Sequence, residues 1–94
     1  MRAIQLHFYS DPSHGWLKVP RKMLEELNVL DSISSASYMR GEHVYLEEDE
    51  DCDTFFNTIK NNYGEDLVVG FKKKLKYHYT ENSSKIRNYS FYKM

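Results

Sequence analysis

Residues Tyr38–Phe56 read YMRGEHVYLEEDEDCDTFF. Gly41-Glu42 lies between two short stretches, Tyr38–Arg40 and His43–Glu47. Glycine at the first loop position suits a two-residue type II′ hairpin, whose backbone twist matches that of the paired strands. Such a loop pairs Arg40 with His43, Met39 with Val44, Tyr38 with Tyr45 and Ser37 with Leu46. Met39, Val44 and Leu46 then share the core face; Tyr38, Tyr45, Arg40 and His43 share the other. Beyond the hairpin come six carboxylates in seven residues: Glu47, Glu48, Asp49, Glu50, Asp51 and Asp53, around Cys52. Phe55, Phe56, Ile59 and Tyr63 follow at helical spacing, and Gly64 is a suitable stop. Asp51 or Asp53 can cap that helix, and acids near its start complement the dipole.

N-terminal to this stretch, Ile4, Leu6 and Phe8 alternate with Gln5, His7 and Tyr9, the pattern of a half-buried strand. Asp11-Pro12-Ser13-His14-Gly15 has turn chemistry. Trp16–Val19 continues as a second strand, with Leu17 and Val19 inward and Trp16 and Lys18 outward. Pro20 suits a first helical turn, and Met23, Leu24, Leu27 and Leu30 form the apolar stripe. Ser32–Ser37 reads as a loop.

On the C-terminal side, Leu67–Tyr79 reads as one long strand. Val69, Phe71, Leu75, Tyr77 and Tyr79 share a parity, and Lys72, Lys74, Lys76 and His78 take the other. A lysine-lined face suits an edge strand. Ile86–Tyr92 is a last short strand or a tail that orders on a partner. The expected fold is a single α+β domain over residues 1–94. Its elements run β-β-α-β-β-α-β, as one antiparallel sheet with two helices on one face. The β-α-β-β-α-β portion from Trp16 to Tyr79 is compatible with a ferredoxin-like arrangement.

A net charge of −1 hides segregated charge. Residues 41–66 carry nine acids and one base; residues 71–94 carry seven bases and one acid. One cysteine excludes an intrachain disulfide and a cysteine-rich zinc site, and fits a reducing compartment. No apolar run reaches membrane-spanning length and the start lacks a signal-peptide core, so a cytoplasmic protein is expected.

The acidic run has three readings. It caps a helix and aids solubility, neutralised by the lysines of residues 72–76. It imitates nucleic-acid phosphates to occupy a basic groove on another protein. Or it binds a hard cation, although the spaced pattern of a calcium loop is missing. The expected contact set is Glu47, Glu48, Asp49, Glu50, Asp51 and Asp53, with Trp16 and Tyr45 adding aromatic area. The alternative is a nucleic-acid module built on Lys72, Lys73, Lys74, Lys76 and Arg87. In that case His7, Tyr9, Trp16, Tyr38 and Tyr45 would form a stacking platform, unless the C-terminal tail covers that face. Asp11 with His14, or Cys52 with a histidine, is the only hint of catalysis, and no phosphate loop, dinucleotide fingerprint or metalloprotease helix supports it. No enzyme, metal or cofactor is expected.

Ser10-Asp11-Pro12-Ser13-His14-Gly15-Trp16-Leu17-Lys18-Val19-Pro20 and Arg40-Gly41-Glu42-His43-Val44-Tyr45-Leu46-Glu47-Glu48-Asp49 resemble two motifs, SDPxHGWLxVP and GxxVYLEED. These are motifs of a group of small bacteriophage and mobile-element proteins. The resemblance spans about residues 6–56; the group has Gly where Ser13 and Asn28 stand. It brings no catalytic residues. It implies a protein that acts on host machinery in the host cytoplasm. By analogy of size and acidity alone, the expected role is an anti-CRISPR-like inhibitor: a DNA mimic that binds a host CRISPR–Cas effector.

Overall fold

A computed structural model describes residues 1–94. It is an α+β structure with a six-stranded mixed sheet. In chain order the elements are β1 (His7–Ser10), β2 (Gly15–Pro20), α1 (Arg21–Glu26), β3 (Tyr38–Arg40), β4 (His43–Glu47), α2 (Asp51–Tyr63), α3 (Glu65–Lys74), β5 (Lys76–Tyr79) and β6 (Ser90–Phe91). Short 3-10 turns occupy Leu30–Ser32 and Lys85–Asn88.

Both hairpins form as their turn chemistry dictates. β3 and β4 pair with Tyr38 opposite Tyr45, Met39 opposite Val44 and Arg40 opposite His43. Gly41 carries the turn at a φ of +58°, open to glycine without a Cβ penalty. β1 and β2 pair with Phe8 opposite Leu17 and Tyr9 opposite Trp16. Gly15 is required for space: a Cβ there would stand 2.5 Å from the Phe8 ring and 2.9 Å from Glu48 Oε2. Asn28, just past α1, has a φ of +58°, a conformation asparagine tolerates better than most side chains.

The expected strand over Leu67–Tyr79 is corrected. Residues 65–74 form a helix and only Lys76–Tyr79 is extended. Val68 and Phe71 are buried, Val69 is exposed, and Leu67 and Leu75 pack against the core, which is helical spacing. Glu65 and Asp66 fall in the first turn and Lys72–Lys74 in the last, matching the helix dipole at both ends. Three helices, not two, therefore accompany the sheet, and two of them lie between β4 and β5. The sheet is also not wholly antiparallel: β5 runs parallel to β1. Parallel neighbours need a long crossover, and β5 reaches the far edge only after α2 and α3.

The strand order is β5-β1-β2-β4-β3-β6. β2-α1-β3 is a split unit with β4 inserted between its parallel strands. β4-α2-α3-β5 is a second, split by β2 and β1 together. The ferredoxin-like connectivity of Trp16–Tyr79 is thus opened by the N-terminal strand. β6 pairs with β3, so the final segment includes a strand.

The two sheet faces are covered differently. Leu17, Val19, Val44 and Leu46 join Leu24, Phe55, Ile59, Val68 and Phe71 from the helices in one cluster. Trp16, Tyr45 and Ile86 form a smaller cluster on the other face, with Tyr9, Tyr38 and Tyr89 against it. No helix is long and apolar enough to cross a membrane.

Candidate binding surfaces

The acidic segment is a braced loop. Asp51 is only 1% exposed and turns inward. It accepts hydrogen bonds from the Ser34 amide (3.1 Å), from Ser34 Oγ (2.8 Å) and from Ser37 Oγ. Ser37 Oγ in turn accepts from the Glu47 amide at 2.9 Å. Glu47 Oε2 accepts from the amides of Asp49 (3.1 Å) and Glu50 (3.0 Å), closing the turn before α2. The Glu48 amide donates to the Gly15 carbonyl at 3.0 Å, tying the loop to β2. Asp51 is therefore withdrawn from the expected contact set, because its charge is spent on the Ser34–Ser37 loop. Neither Asp51 nor Asp53 caps α2; Glu50 holds the cap position, with no side-chain bond.

Asp49, Glu50 and Asp53 are exposed and Glu48 is half-buried. None of them forms an ion pair; the two present are Lys60–Glu65 and Arg87–Asp11. The lysines of residues 72–76 do not neutralise this loop. Burial, with the neighbouring Asp53 charge, pushes the Cys52 thiol up to about 12, which disfavours the thiolate.

Trp16 and Tyr45, expected to face a partner, are 2% and 7% exposed. They do point away from the helices, but residues 84–89 form a strap across them, with Ile86 in their cluster and Tyr89 against it. Asp11 anchors the strap. Its Oδ2 accepts from the Ser84 amide (3.0 Å) and Arg87 Nε (2.8 Å), and its Oδ1 from Arg87 Nη2 (2.9 Å). The Ser13 and His14 amides close an Asx turn on the same carboxylate. The Arg87 guanidinium, followed by the Ser84 amide, holds the Asp11 carboxyl far below the usual carboxylate range. The guanidinium lies 5.2 Å from the Trp16 ring centre. The sequence pairing of Asp11 with the His14 side chain is replaced by these contacts. Asp11, His14, Gly15 and Trp16 serve the turn, the close approach and the strap.

The expected basic set does not come together. Lys72, Lys73 and Lys74 end α3 on the helical side, with Lys72 5.1 Å from the Phe56 ring centre and Lys74 Nζ donating to the Ala3 carbonyl. Lys76 stands opposite His7, on the other side of the sheet, and Arg87 is held by Asp11. A different group gathers where the strap ends. Tyr9 and His78 stack with ring centres 4.5 Å apart and planes 12° apart. His7 Nδ1 lies 2.9 Å from His78 Nε2, one ring donating and the other accepting. Partial burial, then the charges of His78, Lys18 and Lys76, lower the His7 pKa. Burial and Lys18 lower that of His43. Strand parity places Lys18 outward beside Trp16, but no local pattern signals the parallel β1–β5 pair that joins His7 to His78.

Comparison with protein-family models, curated proteins and solved structures returned no match.

Proposed function

We propose that this chain is a non-enzymatic binding protein that presents Glu48, Asp49, Glu50 and Asp53 to a basic groove on a nucleic-acid-handling protein. The supporting observation is that these four carboxylates have no cation within ion-pair distance, in a loop held by Asp51 and Glu47. Like charges this close repel, so a chain that leaves them unpaired keeps a local field available to a partner. Bracing the loop lowers the conformational entropy lost on binding. Grooves that hold phosphates with lysine and arginine accept such an array, and its binding would displace the nucleic acid. By analogy of size and acidity alone, a host CRISPR–Cas effector is one partner to try.

The test is competition. The purified protein is titrated against labelled DNA bound to a candidate effector, at low and at physiological salt. The expected result is salt-sensitive displacement of the DNA. A variant with serine at Glu48, Asp49, Glu50 and Asp53, keeping Glu47 and Asp51, should lose displacement and keep its melting curve. Equal displacement by that variant removes the proposal.

A further inference from the structure

The strap leaves one end of the second sheet face open, and that end differs chemically from the rest of the molecule. A hollow of about 330 Å³ is lined by Tyr9, His78, Tyr79, Ser83 and Lys85, among others. A second, of about 180 Å³, shares Tyr9 and Lys85 and adds Lys18, Tyr45 and Tyr89. A third, of about 210 Å³, shares Lys18 and adds His7 and His43. Shared residues make them one groove along the edge of the strap.

Two properties define what this groove can hold. First, no lining residue of the three hollows is an aspartate or glutamate, in a chain with 14 of them. Lys18 and Lys85 stand in it, and Lys76 pairs in register with His7 at its side. Lysines in a lining without carboxylates favour an anion. Second, the Tyr9 and His78 rings are already parallel and stacked, and both line the hollow of about 330 Å³. A flat ring can extend that stack, and every nucleobase has such a face. Tyrosine and serine hydroxyls around it can donate to base or phosphate oxygens. A hollow of this size is at the small end of ligand sites.

We infer that the groove binds a nucleobase-bearing phosphate, with the base stacked on Tyr9–His78 and the phosphate held by Lys85 and Lys18. The ligand is a free nucleotide or one unit of a single strand. This site is separate from the acidic loop and does not depend on it.

The experiment measures anisotropy of a labelled short oligothymidine strand with the full chain, at several salt concentrations. Unlabelled mononucleotide and inorganic phosphate serve as competitors. Salt-sensitive binding is expected. Lys18→Gln with Lys85→Gln should weaken it by about tenfold or more and flatten the log–log salt slope by about 0.7, for the one phosphate they hold. Tyr9→Leu should weaken it by about tenfold while leaving the salt slope unchanged, because stacking carries no counterion release. Full competition by mononucleotide identifies a nucleotide site, and competition only by strand identifies a single-strand site; either supports the inference. It is overturned if neither strand nor mononucleotide binds at low salt. It is equally overturned if folded Lys18/Lys85 and Tyr9 variants bind as the parent does, or if inorganic phosphate competes as well as the mononucleotide.

Discussion

Asp11 shows how much one carboxylate can organise. It closes its own turn, accepts two bonds from Arg87 and satisfies the Ser84 amide, so the first hairpin and the last residues meet on one side chain. Asp11→Ala should release the strap. Trp16, the only tryptophan, is buried beneath it, so its emission should shift to longer wavelength, and limited proteolysis should cut first within residues 80–92. Unchanged emission in a folded variant would show that other contacts hold the strap. The same carboxylate sets an acid limit. Its folded pKa lies below its unfolded value, so its contribution is complete above about pH 4 and fades as pH falls further. The parent should therefore lose more stability than Asp11→Ala between about pH 4 and pH 2.

Among the elements, α3 is where pattern and structure part. Alternation placed Val69 and Phe71 on one inward strand face; the helix buries Val68 and Phe71 and leaves Val69 39% exposed. Phe71→Ala should cost about 3–5 kcal/mol in urea unfolding, whereas Val69→Ala should stay within about 0.5 kcal/mol of the parent. Comparable large losses at both would favour a strand. The stretch is ambiguous because Val-Val-Gly-Phe suits a strand locally and the following lysines alternate with apolar residues only from Leu75 onward. The hairpins leave no such ambiguity, since a glycine turn and a period of two agree there.

Across the whole molecule, charge is sorted. The acidic loop precedes α2, the lysine triplet ends α3, and the imidazoles of His7, His43 and His78 share the open sheet face with Lys18 and Lys76. His7 faces His78, Lys18 and Lys76, while His43 faces Lys18 and Glu42. Their folded pKa values lie below the unfolded value of about 6.5. The unfolded chain therefore binds more protons just below that pH, and stability falls as pH drops from about 6.5 towards the folded values. A chemical-denaturation series from about pH 7 to pH 5 should show this loss, and His7→Gln with His43→Gln should reduce it. An equal loss in the double variant would place the sensitivity elsewhere.

Local rules were enough for the two hairpins, the register of β3 on β4 and the second helix with Gly64 as its stop. Each depends on residues within about one turn or one strand pair of each other, where glycine conformation and hydrophobic period act directly. The parallel β1–β5 pair, the burial of Trp16 and Asp51, and the partner of Asp11 are contacts between residues 14 to 76 positions apart. Their energy appears only once the chain has closed on itself, so no local pattern announces them. The groove beside Tyr9 belongs to this second kind: His7 and His78 lie 71 residues apart, and the fold brings their rings together.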